Sequence, residues 1–186
     1  MREDPNSASP ELDVVIVGGG AAGLSAALVL GRCLRRVVVV DAGNPRNKAA
    51  RMFNGYLSRD GSDPAEFLAI SRDQLRRYRE TVELRSGSVK EARRGKNHFD
   101  VVLEDGTSFI SRTLLVASGL VDELPAFEHF QDFYGKTVHS CPYCDGWEVR
   151  GQVLVVTGGD QAAADLAIEL LLWSRKMTLC TNGPLK

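Results

Sequence analysis

The apolar run from Leu12 to Val17, followed at once by Gly18-Gly19-Gly20-Ala21-Ala22-Gly23, constrains this chain more than any other feature. A strand so unbroken has no wet face and belongs in a buried parallel sheet. A small-residue helix follows from Leu24 to about Arg32, with Ala26, Ala27 and Leu30 on its inner side. A second buried strand, Val37 to Val40, then ends at Asp41, twenty-three residues beyond Gly18. Strand, glycine turn, helix, strand and terminal acid at this spacing form a dinucleotide-binding βαβ unit. Gly18 permits the tight turn, Gly20 lets the backbone approach a pyrophosphate, and Gly23 lets the helix pack close to the sheet; Ala22 lies between the last two. The helix N-terminus offers free N–H groups and positive dipole to the phosphates. Asp41 is placed to accept hydrogen bonds from ribose hydroxyls.

The rest of the chain continues the α/β pattern. Asp63-Pro64-Ala65-Glu66 opens a second helix, with Asp63 as N-cap, Pro64 at the first helical position and Glu66 completing a capping box. Phe67, Leu68, Leu75 and Tyr78 form its expected buried stripe. Short strands are expected at Val82–Leu84, Ser88–Ala92, Phe99–Leu103 and Ser108–Ile110, separated by turn residues such as Asp105-Gly106. A further buried strand, Leu114–Ala117, ends in Ser118-Gly119, and residues 120–135 form a polar connection. A second β-α-β pattern comprises Val153–Val156, the turn Thr157-Gly158-Gly159, the helix Gln161–Trp173 and the strand Met177–Cys180. This repeat of the first unit points to a second nucleotide-binding module.

Between the two modules stands Cys141-Pro142-Tyr143-Cys144-Asp145. Two cysteines three apart can close a small disulfide ring and reopen it, and such motifs lower one thiol's pKa toward neutrality. Asp145, immediately after, is placed to shuttle the proton that exchange requires. A structural zinc site needs four ligands, and with His139 this segment supplies at most three. A glutaredoxin-type reading of C-P-Y-C conflicts with the dinucleotide fold that precedes it. His139 reads as a strand residue, with proton transfer as its alternative; Cys33 and Cys180 read as small packing residues.

Bulk properties narrow the partners. The formal charge of -1 supplies no broad basic field, so a nucleic-acid partner is not expected. The densest basic stretch, Arg72 to Arg79, also carries Asp73 and Glu80 and reads as a solvated helix face. No apolar run reaches the roughly 18 residues of a membrane span. The polar segment 1–12 reads as a disordered leader, since a secretory signal needs an apolar stretch, so a cytoplasmic setting is expected; four cysteines, two of them as C-x-x-C, suit a reducing compartment.

With both motifs on the page, the chain resembles the low-molecular-weight thioredoxin reductase family and its relatives, which include reductases of peroxiredoxins and dithiol oxidases of disulfide-containing natural products. The resemblance rests on V-V-I-V-G-G-G-A-A-G-L-S-A-A, on L-L-V-A-S-G-L-V-D-E-L-P and on H-S-C-P-Y-C-D-G-W-E-V. It implies a Rossmann-like FAD-binding βαβ domain with an antiparallel β insertion over 13–122, followed over 123–186 by the start of an NAD(P)-binding domain carrying the redox cysteines. It further implies that Cys144 is the flavin-side thiol, Cys141 the interchange thiol and Asp145 the acid/base. Gly18, Gly20, Gly23 and Asp41 would hold FAD, with Asn54 and Gly119 in segments near the flavin, and Gly158 and Gly159 would serve NAD(P)H. The partner would be a thioredoxin-like protein or a small-molecule disulfide or dithiol, and the assembly a homodimer.

The sequence departs from the family at three places. Thr157 stands where the nicotinamide turn has glycine. Thr181-Asn182-Gly183-Pro184 replaces the basic segment that reads a 2′-phosphate, so NADPH preference has no support there. The family continues beyond Lys186, so a fragment or truncated product is expected.

Overall fold

The computed structural model describes residues 12–183. The expected leader lies outside them, except Leu12, which opens the first strand. The described chain divides into two compact units: one runs to Lys48 and resumes over Pro64–Leu124, and the other joins Ala49–Asp63 to the residues from Pro125 onward.

The first unit is built on a six-stranded sheet ordered β3-β2-β1-β6-β5-β4. Its strands are β1 (Leu12–Val17), β2 (Val37–Asp41), β3 (Val82–Ser86), β4 (Val89–Arg94), β5 (Phe99–Leu103) and β6 (Ser108–Val116). β1 pairs in parallel with β2 and β6, and β2 with β3; β5 runs antiparallel to both β4 and β6. The expected α/β fold with an antiparallel insertion is present.

Burial explains the order. Four consecutive valines, Val37 to Val40, are buried in β2, and Val15 and Ile16 at its side in β1 are fully enclosed at 0% exposure. A strand whose side chains are buried on both faces must lie inside a sheet covered on both sides. On one face Val15, Val38 and Val40 join Val101 and Leu103 of β5, with Phe99, Phe109 and Leu114 packed against them. Each such valine contributes about 1.5 kcal/mol or more of hydrophobic stabilisation.

Among the described residues this unit holds two α-helices. α1 (Ala21–Arg32) buries Gly23, Leu24, Ala27 and Gly31. The buried face is therefore turned from the expected Ala26–Ala27–Leu30 side, because the glycines allow the closest approach: a Cβ on Gly31 would lie 2.5 Å from Val82 Cγ2. α2 (Pro64–Leu75) buries Pro64, Phe67, Leu68 and Leu75. Tyr78 falls beyond it in a 3-10 turn and is only half-buried.

The structure joins two expected strands into one. Ser108–Ile110 and all of Leu114–Ala117 but Ala117 are parts of the nine-residue β6. The intervening polar residues do not break it, because Ser111 is fully buried and its hydroxyl donates to the Thr113 carbonyl at 2.9 Å. Ser111 is also where β6 changes partner, standing opposite Phe99 of β5 and Leu12 of β1.

The second unit contains α3 (Phe130–Phe133), α4 (Pro142–Asp145), β7 (Leu154–Thr157), α5 (Gln161–Glu169) and β8 (Met177–Cys180), with β7 and β8 parallel. α5 passes into a 3-10 turn at Leu170–Leu172 rather than running helically to Trp173. The Asp160 carboxylate caps α5 by accepting from Ala163 N–H at 3.0 Å. At the return, the buried Ser174 hydroxyl donates to Gln152 O at 2.5 Å and accepts from Lys176 N–H at 3.2 Å.

Candidate functional site

At the carboxyl end of β1 the chain turns through Gly18, whose φ of +105° is a conformation that side chains disfavour. Its N–H donates to Val40 O at 2.8 Å, and Ala117 N–H donates to Val17 O at 2.8 Å, so the ends of β1, β2 and β6 converge there. A Cβ on Gly18 would overlap the Ala117 carbonyl, and one on Gly23 would overlap the Gly18 carbonyl. Both glycines are sterically required.

Gly20 differs. A Cβ there would meet nothing within 4 Å, so open space lies over the turn where the helix begins. Gly20 is the N-cap of α1 and no side chain caps that end, which leaves first-turn N–H groups for a ligand. Ala22 lies exposed in the same turn, and Gly119, also in open space, follows β6 at φ +68°. Asp41 ends β2 beside the turn. Two required glycines, an open third and an uncapped helix of twelve residues fit a dinucleotide pyrophosphate.

The remaining expected site residues lie in the second unit. Cys141 and Cys144 form a disulfide, with Cα atoms 5.3 Å apart. The turn between them is α4, with Pro142 in the first helical turn and the Cys141 carbonyl accepting from Cys144 N–H at 3.2 Å. Asn54 is brought to this turn and donates from Nδ2 to Cys144 O at 2.9 Å. Tyr143 lies 71% exposed between the cysteines. Its hydroxyl donates to Glu169 Oε1 at 2.6 Å, and its ring meets Trp173 edge-on at 5.5 Å. The neighbouring Glu169 carboxylate pushes the Tyr143 hydroxyl pKa up. Gly146 closes the turn against Trp173, whose Cδ2 would lie 2.8 Å from a Cβ there.

Asp145 ends α4, with its carboxyl raised above the ordinary aspartate range. Burial is the main cause, Glu148 adds to it, and His139 pulls the other way. His139 Nδ1 lies 3.5 Å from Asp145 Oδ1, and the two side chains are 23% and 27% exposed. His139 is thus not the strand residue its surroundings suggest: it follows an isolated bridge at Val138 and faces the acid. The six-residue separation conceals this pairing in the sequence, and the alternative of a proton-transfer role was its only signal. Cys141, Asp145, His139 and Asn54 line one open cavity of about 790 Å³ with part of β7.

At the other turn of the second unit, Gly158 packs against α5, where a Cβ would lie 2.5 Å from Ala163 Cβ, and Gly159 lies close to Thr181 O. Asp160 uses one helix N-terminal donor that α1 leaves open. The second turn therefore offers a ligand fewer free groups than the first. Cys33 and Cys180 are free and exposed, which corrects the packing role expected for them. Among the described residues, no group of three or more His, Cys, Asp or Glu is arranged to hold a metal ion, and no helix is long and apolar enough to cross a membrane.

The family description "Pyridine nucleotide-disulphide oxidoreductase" matches residues 12–184. The chain belongs to this family. Within it the likeness is to thioredoxin reductases. A "Probable thioredoxin reductase" of Arthroderma benhamiae is 31% identical over 189 residues, covering 98% of this chain and 46% of its own length. Thioredoxin reductase tcpT of Claviceps purpurea is 32% identical over 184 residues, covering 95% of this chain and 57% of its own. The crystal structure of an oxidoreductase from Agrobacterium tumefaciens superposes with a TM-score of 0.85 at 37% identity, covering 92% of this chain and 58% of that one. The chain thus spans about half the length of the family relatives it matches.

Proposed function

We propose that the protein acts as an FAD-dependent thiol–disulfide oxidoreductase of thioredoxin-reductase type. The observation that carries this reading is the Cys141–Cys144 disulfide with a carboxyl of raised pKa one residue beyond it. FAD, when bound, supplies two-electron transfer between a nicotinamide and a disulfide. Gly18, Gly20, Ala22, Gly23, Asp41 and Gly119 would hold it, and Gly158 and Gly159 would face NAD(P)H.

In the reduced state, the Cys141 thiolate attacks one sulfur of a substrate disulfide. A mixed disulfide forms and one substrate thiolate leaves. Cys144 then attacks Cys141 Sγ, closing the ring and releasing the second substrate thiolate. The substrate gains two electrons and two protons; the electrons come from the two cysteines, one proton from the Cys144 thiol and the other from Asp145, which holds the proton given up when Cys141 ionises. Asp145 is the proton carrier: its raised pKa leaves it protonated at a pH where an ordinary aspartate has ionised. His139 at 3.5 Å can receive that proton or hold the carboxylate that remains. Asn54, bound to the Cys144 carbonyl, fixes the turn while its sulfur–sulfur bond opens and closes. The substrate is a thioredoxin-like protein or a small disulfide, and the working assembly a homodimer.

Flavin absorbance of the purified protein, its bleaching by NADPH or NADH, and disulfide reduction by the wild type but not Cys141→Ser test the reading. Absence of flavin from a folded preparation overturns it. Thr157, in place of the turn glycine, favours a second reading in which a substrate dithiol is oxidised to a disulfide while dioxygen is reduced to hydrogen peroxide. Oxygen uptake with a dithiol and no nicotinamide separates the two.

A further inference from the structure

The Asp41 carboxylate is held from three directions within the first unit. β2 delivers it so close to the glycine turn that a Cβ on Gly19 would lie 2.7 Å from both Cγ and Oδ2. Its Oδ1 accepts from Gly43 N–H at 3.2 Å. Its Oδ2 accepts from Arg72 Nη2 at 2.7 Å, reached from the last turn of α2. Arg72 is therefore not simply part of the solvated face that its charge run suggests.

Each carboxylate oxygen has about two lone-pair sites. With Gly43 on one oxygen and Arg72 on the other, each keeps a site for another donor, and the adjacent hydroxyls of a ribose are a matching pair. We propose that Arg72 is a positioning residue that fixes Asp41 in the orientation that receives the adenosine ribose of the dinucleotide. The proposal rests on the assignment of FAD to the first unit.

Two physical arguments separate this role from a stabilising ion pair. The Arg72 and Asp41 side chains are 41% and 27% exposed, and an ion pair so open to water adds little to stability. A bare carboxylate against Gly19 would also repel the pyrophosphate received by the same turn. The guanidinium offsets that charge without occupying the ribose-facing lone pairs. It does so through Nη2 alone, held by a planar group with a fixed direction that a rotating lysine ammonium lacks.

The test measures dissociation constants for FAD, and for FAD lacking the adenosine 2′-hydroxyl, by flavin fluorescence with the full chain. Arg72→Gln weakens FAD about tenfold, the loss of roughly one charge-assisted hydrogen bond's effect. Arg72→Lys falls between it and the wild type. In an Asp41→Ala background the Arg72→Gln effect shrinks to less than about twofold, as coupled residues require, and the analogue shows a smaller loss than FAD. Thermal melting without FAD is unchanged by Arg72→Gln. Unchanged or tighter FAD binding by Arg72→Gln, a full loss persisting without Asp41, or a lowered melting temperature overturns the proposal. Failure of the folded wild type to bind FAD overturns the FAD assignment itself, and the proposal with it.

Discussion

Asn54 donates its side-chain amide to the carbonyl oxygen of Cys144 at 2.9 Å, tying a residue of the 49–63 segment to the Cys141–Cys144 turn ninety positions later. Loss of that bond in Asn54→Ala costs about 1 kcal/mol. Asn54→Asp costs more at neutral pH, because a carboxylate then faces a carbonyl. As pH falls through the carboxyl range, the aspartic acid regains a donor and part of the loss returns. Denaturant midpoints of the two variants from pH 7 downward check this, and equal, pH-independent losses refute it.

Asp145 sets a pH dependence of its own. Its folded-state pKa is raised by burial, so above the ordinary aspartate range the folded chain retains a proton the unfolded chain has released. Stability therefore falls as pH rises through the window between those two values, then levels off. Asp145→Asn removes this contribution to the slope. His139→Ala removes the opposing influence, raises the carboxyl pKa and extends the window upward. Urea midpoints against pH read both effects; identical profiles for the wild type and Asp145→Asn would be inconsistent with a raised carboxyl.

Two glycines of one turn should respond in opposite ways. Gly23→Ala places a methyl into the Gly18 carbonyl and destabilises the first unit by about 3 kcal/mol, the upper end of overpacking costs. Gly20→Ala adds a methyl to open space, leaves the melting temperature within a degree or two, and weakens FAD at least about tenfold. Calorimetry and flavin binding on the pair check the contrast. Equal destabilisation by both would place protein, not ligand, over Gly20.

The cap of α5 is separable from chemistry. Asp160→Ala leaves the Ala163 N–H without its acceptor and costs about 1 kcal/mol. Asp160→Asn or Asp160→Ser restores most of it. Denaturant melts of the three variants are the measurement, and no difference among them removes the cap from the energetics.

The elements whose pattern is local are legible in the sequence. β1, β5 and β8 have the bounds their apolar runs suggest, Gly18 and Gly23 stand where the backbone leaves no room for a Cβ, and Asp41 ends β2 as its spacing suggests. Relationships between distant side chains are not. Nothing periodic marks 49–63 as part of the second unit, so the reach of Asn54 to Cys144 is a tertiary fact. Ser111-Arg112-Thr113 looks like a break because its residues are polar, yet the buried hydroxyl finds a carbonyl two residues on. Arg72 sits in a charge run whose average is solvent, and a single arginine departed from that average by finding Asp41.

Ser111 has a consequence for how this fold tolerates change. It is the last residue paired with the antiparallel neighbour and stands against the parallel neighbour as well. An insertion or deletion of one residue on either side of it would swap the inward and outward faces of half a strand while leaving the other half in place. The two halves of the sheet are thus held in phase through the backbone of one residue. Loop-length variation in this protein should be confined to the turns and excluded from β6.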